Sequence, residues 1–289
     1  MANTNARPTQ KNVKKDVGAK AEEATRNPWM KALTRYGYFA RGILFATIGF
    51  LALQVARGEP GAITDQNGAL ATIAAQPFGK ILLIVIVAGL IGFSLWGFIR
   101  AIFDPLERGA DKQGILERIG FVISGISYGG LVWPFVQLIL GASSAAPKSQ
   151  TQTTQDITAQ ILAQPFGPWL IGLVGLLVIG WSLSQVYIAY TAKFQKDFEA
   201  AKMNATERKW MVALGRIGIG ARGLVFALIG FFLIQAALRA DPKQAVGLDG
   251  ALLKIAQQPE GQLLLIAAAA GLIVFGIYSM LSARWLKVS

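Results

Sequence analysis

The chain holds 289 residues, of which 53% are hydrophobic and only 15% charged, with a formal net charge of +12. So little charge cannot coat a soluble domain of this size, which excludes a water-soluble globule and sets the basic excess against a membrane rather than nucleic acid. Cysteine and histidine are both absent, which removes disulfides, thiolate and imidazole chemistry, and the commonest zinc, copper and haem ligation.

The first segment, 1–28, carries Arg7, Lys11, Lys14, Lys15, Lys20 and Arg26 among polar residues. It lacks the apolar core of a secretory signal, so it reads as a basic tail. A first unit follows over 29–105, with predicted membrane spans at 36–56 and 79–101. Uncharged runs of this kind approach the roughly 30 Å hydrocarbon core at about 1.5 Å per residue. The second unit, 112–192, has predicted spans at 118–140 and 167–190, with 143–155 between them as an exposed polar loop. A charged linker over 193–208 comes next, and its Phe194, Phe198 and Met203 suggest that it rests partly on the membrane. Asn204 reads as a cap for the helix that follows. The third unit, 209–285, has predicted spans at 217–238 and 261–283. Between the two spans of each unit lies a short apolar stretch: 69–75 after Asn67, 157–163 after Asp156, and 251–256 after Asp249. Each reads as a short outer helix at the membrane interface capped by that Asn or Asp, with a plain loop lid as the favoured alternative.

The units are copies of one another. Trp29, Arg35, Gly37, Arg41, Gly42, Phe45, Phe50 and Gln54 recur in register as Trp210, Arg216, Gly218, Arg222, Gly223, Phe226, Phe231 and Gln235. The middle copy keeps Arg118, Gly120, Gly125, Tyr128, Trp133 and Gln137 at the matching positions, with Ser124 where the others have arginine. The second halves align on Gln76-Pro77-Phe78-Gly79, Gln164-Pro165-Phe166-Gly167 and Gln258-Pro259-Glu260-Gly261. In each, the proline fits the first turn of the second span. Aromatic residues match in depth at Phe93, Trp181 and Phe275.

Two spans per unit give every copy the same polarity, so the repeats are parallel and related about the membrane normal. A pseudo-threefold bundle of six helices is preferred to a slab. Most of the 28 Lys and Arg fall on the side of the termini, and the other side has only Arg57, Lys80, Lys148, Arg239, Lys243 and Lys254. Both termini are therefore expected in the cytoplasm.

Two sets of residues are candidate sites. Arg41 and Arg222 enter the hydrocarbon boundary, where lipid phosphate or another anion is the natural partner. The plainer reading has both snorkel to headgroups at the inner surface, alongside Arg35, Arg118 and Arg216. Gln54, Gln137 and Gln235 could form a polar ring at the outer end of the first spans, or simply tie helix ends to the outer helices. Recurrent glycines fit close helix packing. The absence of Asp and Glu from every predicted span argues against a proton or sodium relay.

The pattern Arg-x-Gly-x-x-Ala-Arg-Gly at 35–42 and 216–223, with the Gln-Pro-Phe-Gly turns at Gln76 and Gln164, resembles a bacterial membrane family known as domain of unknown function 1206. The resemblance extends over about 29–285. It implies three copies of a paired-helix unit in a bacterial plasma membrane, and supplies no substrate or catalytic residue. Ser124 and Glu260 depart from the pattern. The expectation is an all-α, six-span, non-enzymatic scaffold or interaction protein without metal or cofactor. Its expected partners are membrane lipids and other membrane proteins, not nucleic acid. A passive channel or carrier for a small solute or anion is the alternative.

Overall fold

Apolar runs of this length fold as helices because a segment in lipid must satisfy its backbone polar groups internally. The computed structural model describes residues 28–59, 61–103, 112–141 and 147–287, so the basic tail and part of the loop predicted at 143–155 lie outside the described residues. The long helices are α1 (Pro28–Ala56), α3 (Gly79–Phe103), α4 (Lys112–Ile139), α6 (Gly167–Thr191), α7 (Ala205–Arg239) and α9 (Gly261–Trp285). All six carry a segment long and apolar enough to cross a membrane. The chain is a multi-pass, all-helical membrane protein of three hairpins. Outward-facing Phe50, Trp133 and Phe231 recur in the three units, with exposed Trp29, Trp169 and Trp210 near helix ends. Amphipathic rings favour such positions at membrane boundaries.

The hairpin is not the tightest packing unit. Each second helix packs most closely on the first helix of the next unit: α3 on α4, α6 on α7, and α9 back on α1, which closes the ring. Glycines at one repeat position make these contacts. A Cβ on Gly42 would lie 2.6 Å from the Gly276 carbonyl, one on Gly125 3.1 Å from the Ser94 carbonyl, and one on Gly223 3.2 Å from the Ser182 carbonyl. Three matched approaches at matched positions are the pseudo-threefold relation in atomic terms. Within units, α1 packs on α3 and α7 on α9, whereas α4 and α6 barely meet.

Three short helices cover the face opposite the termini: α2 (Gln66–Ala74), α5 (Gln150–Leu162) and α8 (Leu248–Ala256). They are helices rather than loop lids, and they start earlier than expected. Asp65, not Asn67, caps α2, because its extended backbone lets Oδ1 accept from Gly68 N at 2.9 Å. Ser149 starts α5 with a reciprocal bond to Gln152, which leaves Asp156 inside the helix and makes 150–155 helical rather than loop. Gly247 precedes α8, with Asp249 in its first turn. The prolines also sit differently, in a turn just before each second span. Gly79 N donates to Gln76 O at 2.7 Å and Gly167 N to Gln164 O at 2.9 Å, with Phe78 and Phe166 at φ 61° and 64°. That is a type II turn with proline at its second position. At the third copy Glu260 takes φ −101°, ψ 27°, the type I alternative.

The start of α5 joins all three units. Gln150 N donates to Asp65 Oδ2, Thr151 N and Oγ1 donate to Asp249 Oδ1 at 3.1 and 2.6 Å, and Gly247 N donates to Thr151 Oγ1 at 2.9 Å. Burial raises the Asp65 carboxyl above its ordinary value against the pull of the Gln150 and Gly68 N–H groups, and the nearby Asp249 adds to the rise. A carboxyl whose folded value lies above its unfolded one binds more protons when folded, so its cost is present at neutral pH and relieved as pH falls through the folded value. The thermal midpoint of the wild type should therefore rise relative to that of Asp65→Asn between about pH 7 and about pH 4. A difference that stays flat with pH contradicts this.

Candidate functional site

The repeat brings one residue set to the centre of the ring three times over. On the first helices, Arg41, Ser124 and Arg222 share a level, with Phe45, Tyr128 and Phe226 one turn further on. The second helices supply Phe93, Trp181 and Phe275. The Arg41 guanidinium carbon lies 4.6 Å from the ring centres of Tyr38 and Phe93 and 5.2 Å from that of Phe275. Arg222 lies 4.6 Å from the same Phe275 ring, 5.3 Å from Trp181 and 5.6 Å from Phe226. Both arginines thus turn into the bundle instead of snorkelling to headgroups, because the aromatic side chains of neighbouring helices offer their faces there.

Their polar satisfaction is unequal. Arg41 Nε donates to Ser279 Oγ at 2.9 Å, and Ser279 Oγ donates to Tyr38 O at 2.9 Å. Arg222 Nε is buried with no hydrogen-bond partner among the described residues, and neither arginine has an ion pair there. Cation–π contacts contribute about 0.5–2 kcal/mol each, whereas an unpaired charge taken out of water costs several kcal/mol. The rings offset only part of that cost, and an anion reaching the Arg222 guanidinium would offset more of it.

Protein lies across the terminal face below this centre. The linker does not rest on the membrane as expected: Phe194 and Phe198 are buried, with ring centres 5.5 and 6.1 Å from that of Tyr278. The Phe194 ring fills the space left by Gly215, and Phe198 pairs with Leu286 in an isolated antiparallel bridge. Asp197 accepts from Lys287 N at 2.8 Å through its carbonyl, and its carboxylate lies 3.6 Å from Arg100 Nη2. Arg100 Nη1 donates to Tyr38 OH at 3.1 Å, and the guanidinium carbon stacks 3.7 Å from the Phe121 ring centre. Asn204 caps α7 as predicted, accepting from Glu207 N at 2.8 Å.

The remaining predicted residues do not join the centre. Arg118 instead satisfies the end of α3, with Nε donating to Ala101 O at 2.7 Å and Nη2 to Ile102 O at 3.1 Å. Arg216 is exposed, and Arg35 is half-buried with its Nε lacking a partner among the described residues. Gln54, Gln137 and Gln235 are half-buried, and among the described residues no hydrogen bond joins one of these side chains to another. Gln54 packs beside Gly61 in the loop leading to α2. Sequence reasoning missed Arg100, which ends the span predicted at 79–101 and reads there as one more cation of the terminal side, and Asp65 and Thr151, which bond to residues of other units. The one available signal was that Arg100 continues the uncharged run of α3 without a helix breaker.

The chain matches the family described as Domain of Unknown Function (DUF1206) three times, over residues 36–104, 119–192 and 217–286. These segments coincide with the three hairpins. The uncharacterized protein YxxB of Bacillus subtilis (strain 168) is 38% identical over 273 residues, covering 93% of this chain and 95% of that relative. No solved structure matches.

Proposed function

This chain belongs to the family of domain of unknown function 1206, and on that premise we propose that it is a non-enzymatic membrane protein whose centre holds an anionic group between Arg41 and Arg222. The observation that carries this reading is the half-buried Arg222 side chain, stacked on rings, its buried Nε without a hydrogen-bond partner and the group without an ion pair among the described residues. Holding is favoured over conduction because α2, α5 and α8 join one another at one end of the bundle and the linker is fastened at the other, from Tyr278 and Trp285 of α9 to Arg100 of α3. A conducting path needs sites weak enough to leave and open at both ends. In liposomes containing the purified protein, phosphate and chloride flux should stay at the level of empty vesicles. Replacing Gln54, Gln137 and Gln235 together should not alter it. Flux that disappears with those replacements would establish the channel instead.

The setting we propose is a bacterial plasma membrane with both termini in the cytoplasm, on the strength of the basic residues crowding the terminal face. Because the chain has no cysteine, single replacements report its orientation cleanly. In intact cells an impermeant thiol reagent should label Glu59→Cys, before α2, and spare Lys202→Cys, in the linker. The reverse pattern inverts the protein.

A further inference from the structure

One helix pair breaks the threefold pattern, and the residues that break it are identifiable. In the first unit α1 and α3 close on small side chains: a Cβ on Gly89 would lie 2.8 Å from the Ala40 Cβ. In the third unit Gly271 meets Ala221 closer still. The same two repeat positions in the middle unit are Ile123 and Leu177. Two branched side chains cannot nest where an alanine and a glycine do, so α4 and α6 stand apart. Ala40 is 1% exposed, but Ile123 is 58% and Leu177 64% exposed. Likewise, Cβ atoms on Gly37 and Gly218 would meet the backbone nitrogens of Phe93 and Phe275 at 2.6 and 2.7 Å, while one on Gly120 finds only Trp181 Nε1, at 3.8 Å.

This opening borders the arginine centre at Trp181, which Gly120 faces across the gap. Trp181, at its inner edge, carries the Arg222 guanidinium on its ring. Ser124 stands there in place of a third arginine, removing both a charge and most of a side chain. With linker and short helices at the two ends, the approach wide enough for a lipid runs sideways from the bilayer, between apolar walls that include Ile119, Ile123, Leu173 and Leu177.

We propose that the opening between α4 and α6 admits a lipid bearing a phosphate monoester, one acyl chain lying against Ile123 and Leu177 and the phosphate meeting Arg41 and Arg222. The proposal rests on the anion-holding reading above and names its ligand. Charge and shape select that class. Two guanidinium groups match a phosphate monoester, which carries about −1.5 to −2 charges at neutral pH, and guanidinium forks suit its oxygens in paired hydrogen bonds. An apolar slot one helix gap wide suits a hydrocarbon chain. A free anion arriving by this route would have to cross hydrocarbon unaccompanied.

The test uses the full chain in neutral detergent, exchanged against vesicles of phosphatidic acid or phosphatidylcholine and examined by native mass spectrometry. The wild type should retain phosphatidic acid over phosphatidylcholine by about tenfold or more, a difference of about 1.4 kcal/mol. Ile123→Ala with Leu177→Gly restores the small pair of the other units without touching the arginines. This variant should lose phosphatidic acid while still being stabilised by inorganic phosphate. Retention of phosphatidic acid by that variant at the wild-type rate overturns lateral admission and leaves the anion reading standing, as does equal retention of phosphatidylcholine by the wild type. If neither inorganic phosphate nor phosphatidic acid binds, or if Arg41→Gln with Arg222→Gln binds both as the wild type does, the anion reading itself fails. A second measurement on the unaltered protein guards against a variant that does not fold. Phosphatidic acid with a photoreactive acyl chain should form adducts within 119–127 and 173–181, and adducts spread evenly around the lipid-facing surface overturn the proposal.

Discussion

Arg222→Met is expected to raise the thermal midpoint of the ligand-free protein while weakening anion binding by about 10–100-fold. Arg222 stacks on Phe275, Trp181 and Phe226, and its Nε has no partner among the described residues. Methionine keeps the apolar contacts and removes the unmatched charge. Replacing buried charge by a well-packed apolar side chain is commonly neutral or stabilising by about 1–4 kcal/mol, which for a chain of this length corresponds to a rise of about 2–4 °C for each kcal/mol gained. Binding moves the other way, since a charge-assisted hydrogen bond contributes about 1.5–3 kcal/mol. Arg41→Met should weaken binding with a smaller gain in stability or none, because Arg41 also holds Ser279. Thermal unfolding in neutral detergent with and without inorganic phosphate measures both quantities. If Arg222→Met destabilises the ligand-free protein and leaves the phosphate response unchanged, Arg222 is a packing cation and the centre holds nothing.

The second large effect concerns ring closure. Gly276→Leu places a side chain where a Cβ would already lie 2.7 Å from both the Gly42 carbonyl and the Ala46 nitrogen. Backbone cannot rotate away as a flexible side chain can, so α9 and α1 must separate and lose the packing of Phe45 on Phe275, whose rings lie 4.9 Å apart. Overpacking of this kind costs about 3 kcal/mol, or roughly 6–12 °C in midpoint. Gly180→Leu on α6 is the matched control, since a Cβ there meets nothing within 4 Å. It should change stability by less than about 1 kcal/mol. Equal losses in the two variants, read from thermal unfolding, would show that glycine matters for the helices themselves and not for the α1–α9 contact.

The residues of the centre were legible one by one, but their company was not. Arg41 and Arg222 stand out in sequence as cations inside apolar runs, and Phe93, Trp181 and Phe275 as aromatics at one repeat position. Helical phase alone places a side chain on a face without saying what that face meets. Snorkelling is the simpler expectation because an isolated helix offers Arg41 only lipid and its own Tyr38, whereas the folded ring adds the faces of Phe93 and Phe275. Phe194 and Phe198 read as membrane contacts but lie buried for the same reason: an apolar side chain in a linker suits lipid and protein interior equally well.

The repeat register, the six apolar runs and the turn residues between them determined the number of spans, the hairpin unit and the shared polarity of the three copies, because crossing lipid imposes length and backbone hydrogen bonding on each segment separately. Tertiary structure alone decided that each second helix joins the next unit more tightly than its own, that α9 closes on α1, and that the middle hairpin stays open. In a bilayer, lipid-facing and protein-facing sides of a helix are both apolar, so hydrophobicity does not mark the partner. The choice falls to the fit of small against small, as at Gly89 and Ala40, or its failure, as at Leu177 and Ile123, and that fit exists only once helices distant in the chain are brought side by side.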